Sequence, residues 1–395
     1  METRKKKEGL VIKKIKYIAV LSILALTALS LPALIEDTTS AHQTGVGAVY
    51  VMTNQAAPAG NAVAVFSRAA DGLLTPAGTF STGGLGTGPQ GPEPELPLRS
   101  QGALVLSEDD SFLFAVNAGS DEISVFAVEA TGLSLLDKVS SGGVRPVSLT
   151  VNENLVYVLN GGGTPNITGF TISPKGKLKP LRGSTRPLSG GDVDPSQVEF
   201  SPDGRVLVVT EKATNLINTY TVGDDGLAGG LTEHVSNGLT PFGFGFRKPD
   251  LLIVSEAFGD APNQGALSSY IVSEIGNLEV KSGSVPNFGT ASCWIVVTDG
   301  GQYAYVSNTV SASISGYDIG RNGKLRLLDR DGRTAVTGEG SFPTDMALTN
   351  DSAFLYVLNG GNGTIGAFHV ELDGSLIPLP GAGGLPSGAQ GIAAR

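Results

Sequence analysis

The chain has 395 residues, 41% of them hydrophobic, which is enough for a sizeable core and too apolar for a disordered polymer. Its 55 glycines are about twice the usual share, and with 22 prolines and only 16% charged residues they suggest short strands and tight turns, without a collagen-like triplet period. A net charge of −10 argues against nucleic-acid partners, the single cysteine (Cys293) permits no internal disulfide, and His42, His234 and His369 lack zinc-like spacing.

At the N-terminus, seven Lys and Arg stand against four acids in residues 1–41, a local charge of +3 that leaves −13 on the rest. The stretch from Tyr17 to Ile35 is almost wholly apolar and uncharged, and Thr39-Ser40-Ala41 offers a small-residue cleavage site before His42. That order predicts a secretory signal peptide over 1–41, with an uncleaved membrane anchor as the alternative. Either way the body, 42–395, is expected outside the cytoplasm, secreted or periplasmic, touching a membrane only through the N-terminal segment if that is retained.

From residue 49 onward one phrase recurs, an apolar strand ending in Asn or Glu. Val49-Tyr50-Val51-Met52-Thr53-Asn54 is the first copy and Leu355-Tyr356-Val357-Leu358-Asn359 the last. The endings fall at 54, 117, 160, 211, 256, 308 and 359, with steps of 43 to 63 residues. Such steps suit a four-stranded propeller blade. The longest step holds a Gly/Pro-rich insertion over 83–100, predicted to be a loop. Before most copies lies a strand opened by proline (Pro146, Pro195, Pro241, Pro343), with apolar side chains alternating at period two, as at Val198 and Phe200. Polar turns such as Ser201-Pro202-Asp203-Gly204 join the two strands, and two further strands close each unit.

Seven such units predict an all-β, seven-bladed propeller with four antiparallel strands per blade. The first unit lacks an inner strand. The C-terminal Gln390-Gly391-Ile392 resembles Gln101-Gly102-Ala103 and is predicted to complete blade one, closing the ring.

In this architecture the strand-two endings and the openings of the inner strands share one mouth of the channel. Glu211 and Glu256 replace Asn in neighbouring blades and are the candidate catalytic pair, as acid and base or as oxygen ligands for calcium. Arg145, Gln197, Phe242, Cys293, Asn308 and Asp345 are the candidate substrate-binding residues, with Arg99 and Lys212 as further cations of the rim. The asparagines serve equally well to satisfy turn backbone groups. Cys293 has no histidine nearby in sequence to activate it. The acidic turn Glu108-Asp109-Asp110 falls on the opposite face as a solvated turn.

The segment Asp194-Pro195-Ser196-Gln197-Val198-Glu199-Phe200-Ser201-Pro202-Asp203-Gly204, running on to Val209-Thr210-Glu211, carries a resemblance. With the seven repeats it resembles the lactonase-type seven-bladed propellers, which include bacterial 6-phosphogluconolactonase and fungal 3-carboxy-cis,cis-muconate lactonizing enzyme. The resemblance covers 47–395 and implies an acid with a functional role at Glu211. The arginine and histidine common in those enzymes are Ser196 and Gln197 here, which speaks against a phosphorylated substrate. Two functions are therefore expected. One is an exported hydrolase or cycloisomerase for a small lactone. The other is a binding or scaffold propeller for a peptide, glycan or protein. A monomer is expected, with no cofactor unless calcium.

Overall fold

A computed structural model describes residues 46–89 and 98–395. The expected signal segment, its cleavage site and the middle of the insertion lie outside the described residues. The described chain folds into seven antiparallel sheets, five of four strands and two with a short fifth strand. This is the seven-bladed β-propeller. Its one helical element is the short turn Phe258–Asp260, and no described helix is long and apolar enough to cross a membrane.

The ring closes as the repeats imply. Ile392–Ala394 forms the innermost strand of blade one and pairs antiparallel with Gly47–Met52, with Val51 opposite Ile392 and Val49 opposite Ala394. Arg68 adds a side-chain bond from Nε to the Arg395 carbonyl at 3.1 Å.

Period-two alternation explains the packing. Val198 and Phe200 on one inner strand, and Leu207 and Val209 on the next strand, turn into one cluster between blades three and four. Equivalent clusters fill the other interfaces. Tyrosines of the second strands carry a polar tip through this core. Tyr157 Oη donates to the Gly226 carbonyl, Tyr305 Oη to Gly374 and Tyr356 Oη to Gly72, each at 2.8 Å. Each acceptor is a glycine with positive φ in the outer hairpin turn of the next blade.

Candidate functional site

The strand-two endings lie where the repeats place them, but their side chains do not face the channel mouth. Glu211, Glu256 and Asn308 are fully buried. Glu211 accepts from Ser189 N at 3.0 Å, Thr214 Oγ1 at 2.6 Å, Ser189 Oγ and Asn218 Nδ2. Glu256 accepts from Gly238 N at 2.9 Å, Ser284 Oγ at 2.7 Å and Ser268 Oγ. Burial raises the Glu256 carboxyl above its ordinary range, and these three donors pull it back. Asn308 donates to Ser315 Oγ and Asn117 to Ser124 Oγ, each at 2.8 Å. In each case the ending holds the third strand of its own blade, and with that partner an acceptor-only Glu fits where Asn218 supplies the donor. The expected pairing of Glu211 and Glu256 on an open rim is therefore corrected. Each carboxylate is walled in by its own blade and the segment leading into it, Glu211 by Ser189, Thr214 and Asn218, and Glu256 by Gly238, Ser268 and Ser284.

The mouth itself is stoppered. The end of the insertion and the two residues after it, 98–102, leave the blade and enter the channel. Gln101 N donates to the Ser196 carbonyl at 3.0 Å, and Gln101 Nε2 to that of Ile295 at 2.8 Å. Ile295 N returns a bond to Gln101 Oε1 at 3.0 Å. Trp294 Nε1 donates to the Ser100 carbonyl at 2.8 Å, and Ser100 Oγ to the Val147 carbonyl at 2.8 Å. These acceptors and donors belong to blades three, four and six. Gly243 makes the room: a Cβ there would lie 2.2 Å from Gln101 Oε1. The described residues of the predicted loop over 83–100 form no strand or helix, and at its end the backbone finds its hydrogen bonds in the channel wall.

Under this stopper lie two expected binding residues. Phe242 and Cys293 are buried in one cluster with Trp294, and the Phe242 and Trp294 rings are 4.8 Å apart. Burial pushes the Cys293 thiol up to about 12, the range of an inert core cysteine. Lys212 sits 4.9 Å from the Phe242 ring centre. Its ammonium donates to the Arg99 carbonyl at 2.6 Å and pairs with Asp194 at 3.3 Å. Burial lowers its pKa to about 8 against the pull of Asp194. Arg99 pairs with Asp260 at 3.5 Å. Arg145, half-buried with φ of 54°, takes its place through its N–H, which donates to Asp121 Oδ1 at 2.7 Å.

Below Gln101 the channel widens into a chamber of about 990 Å³ that opens on the face of the strand one to strand two turns. This is the face opposite the expected one, and the Glu108-Asp109-Asp110 turn lies at its edge. Gln101, Gln197 and Asp345 lie toward its closed end. The next layer of wall is Val105, Thr150, Glu199, Gly245, Val296 and Ala347, equivalent by strand register. Glu199 is the one acid in that layer. Gln197 lies flat on the Phe244 peptide, with Oε1 accepting from N at 2.7 Å and Nε2 donating to O at 2.9 Å. Nε2 also donates to Glu199 Oε2 at 2.7 Å. Burial pushes the Glu199 carboxyl up to about 8, with the Gln197 bond opposing. Asp345, bonded by Met346 N at 2.9 Å, is raised well above the usual carboxylate range by burial.

The structure thus brings Gln197 and Asp345 to one chamber, gathers Phe242 and Cys293 in the core above it, and leaves Glu211, Glu256, Asn308 and Arg145 apart. Sequence reasoning passed over Glu199 and Gln101. Glu199 was marked by its place between core-facing Val198 and Phe200. Among the described residues no three His, Cys, Asp or Glu side chains form a group that could hold a metal ion.

The family model described as lactonase, 7-bladed beta-propeller matches residues 49–187 and 272–380. The chain belongs to this lactonase family. The lactonase-family propeller is 22% identical over 282 residues to a protein named 6-phosphogluconolactonase from Yersinia pseudotuberculosis serotype O:3, covering 68% of this chain and 79% of that protein. It is 23% identical to one of the same name from Pectobacterium carotovorum, covering 68% and 80%. Among solved structures it is similar to a protein from Lactobacillus plantarum, with TM-score 0.67, 18% identity and coverage of 88% and 99%. It is also similar to a periplasmic gluconolactonase of Pseudomonas aeruginosa, with TM-score 0.62, 14% identity and coverage of 87% and 98%. At these identities the structural likenesses speak for the fold.

Proposed function

We propose that this propeller hydrolyses or isomerises a small lactone-type ring in the blind chamber, with Glu199 as general base. The supporting observation is the Glu199 carboxyl, held by Gln197 on the wall of a ligand-sized cavity and raised to about 8. In the hydrolytic direction Glu199 takes a proton from water while the water oxygen bonds the lactone carbonyl carbon. The proton then passes to the ring oxygen as the ring C–O bond breaks. Turnover of a lactone panel by purified protein, with and without calcium, tests the reading. Glu199→Gln is expected to lower kcat by about 10²–10⁴-fold.

Ser196 and Gln197, standing where lactonase enzymes carry arginine and histidine, favour a second reading, a binding or scaffold propeller. Capture of a peptide, glycan or protein without turnover of any lactone supports that reading instead. The basic start and apolar run of residues 1–41 support an extracytoplasmic location. A mature N-terminus near His42 in exported protein is the expected result, and intact Met1 in a membrane fraction would favour an anchor.

A further inference from the structure

We infer that the ligand of the chamber is an uncharged lactone ring, and that the chamber rejects phosphorylated ones. The inference rests on the chamber being the working site, as proposed above, and adds the class of substrate.

The rim carries the exposed acids Glu108, Asp109, Glu153 and Asp299. Among the described residues that line the chamber, Lys248 is the one basic side chain. Toward the closed end stand Glu199 and Asp345, three blades apart, and neither forms an ion pair with a described cation. The nearby cation Lys212 is spent on Asp194 and the Arg99 carbonyl above the stopper.

A phosphate monoester carries about −1.5 to −2 at neutral pH and needs Arg or Lys forks to replace its water. In this chamber it passes an acidic rim and meets two carboxyls with no cation between them. The ionised rim repels it, and the closed end offers no cation to replace the water it loses. An uncharged polyhydroxy ring meets the reverse situation. Burial holds Asp345 toward its protonated form, and a protonated carboxyl both donates to and accepts from a hydroxyl, while Glu199 is kept as the base. Small Gly245 and Ala347, beside Val105 and Val296, leave space and apolar surface for the ring.

The test compares an uncharged δ-lactone of a sugar acid with its phosphate ester. The uncharged ring is expected to have the higher kcat/KM by about tenfold or more, and the gap to shrink with salt as the rim is screened. Reversing the exposed rim with Glu153→Lys and Asp299→Lys is expected to raise turnover of the ester and leave the uncharged ring unchanged. Equal or better turnover of the ester by the wild type overturns the inference while leaving the hydrolase reading intact. If neither is turned over, that reading fails and binding decides the inference. Amide NMR shifts at Thr150, Val296 and Ala347 are followed on titration with the uncharged lactone and with inorganic phosphate. Shifts with the lactone alone support the inference, and shifts with phosphate, or with neither, overturn it.

Discussion

Gln101 and Ile295, contributed by blades on opposite sides of the channel, pair as two peptides of a sheet would. The carboxamide of Gln101 donates to the Ile295 carbonyl at 2.8 Å and accepts from its N–H at 3.0 Å. A side chain thereby satisfies the free inner edge of one blade and shuts the channel.

Gln101→Ala removes both bonds and leaves a buried donor and acceptor facing the opened channel. A stability loss of about 1–3 kcal/mol is expected from chemical denaturation. Trp294, the chain's single tryptophan, donates to the neighbouring Ser100 carbonyl. Its emission is expected to shift to the red in the same variant. Unchanged emission and stability would show that the stopper does not depend on this side chain.

Glu211→Gln and Glu199→Gln separate structure from chemistry. Glu211 receives four donors, and an amide in its place turns an N–H₂ group toward some of them. The expected result is a stability loss of about 1–3 kcal/mol with kcat of the folded protein retained. Glu199→Gln is expected to do the reverse, losing turnover and keeping the fold. A Glu211→Gln protein of wild-type stability that fails to turn over substrate would return the catalytic role to Glu211.

Glu199 also sets a pH dependence. Its folded pKa, about 8, lies above the ordinary value of 4.5, so the folded chain holds a proton that the unfolded chain releases between those values. The stability it contributes is full below about 4.5 and is lost as pH rises through about 8. Glu199→Gln is expected to flatten this fall, matching wild type near pH 4 and exceeding it near pH 8 in melting experiments. Activity runs the other way, since the base works when deprotonated, and is expected to rise with pH through about 8. A pH–rate profile that is flat across that region contradicts the assignment.

Truncation before Gly388 removes Ile392–Ala394 and bares the edge of Gly47–Met52. Aggregated or poorly folding protein is expected, because the edge offers unpaired backbone and the cluster around Ile392 and Ala394 is opened. Unchanged melting of the truncated chain would contradict closure through this strand.

The fold was legible because it is written locally and repeatedly. The alternation at Val198 and Phe200, the turn at Asp203-Gly204 and the echo of Gln101-Gly102 in Gln390-Gly391 are all short-range patterns. The site was not, for two physical reasons. A strand-end Glu can face solvent or its own blade, and the choice depends on donors such as Asn218, seven residues on, whose geometry only the folded turn reveals. The stopper depends on bonds from Gln101 to Ser196 and Ile295, far along the chain and without any periodic signal. Glu199 was the accessible part. The same alternation that turns Val198 and Phe200 into the core turns the residue between them to the channel, a consequence the sequence reading did not draw.

The tyrosine tips have a bearing on where the chain could begin. Tyr356 of the last blade holds Gly72 of the first with the same bond by which Tyr157 holds Gly226 and Tyr305 holds Gly374. At its outer radius, then, the joint between the two ends of the chain is built like the joints within it. The ring has no privileged seam there, and a circular permutant with new ends cut in another outer hairpin would rebuild the same circle from a different starting blade.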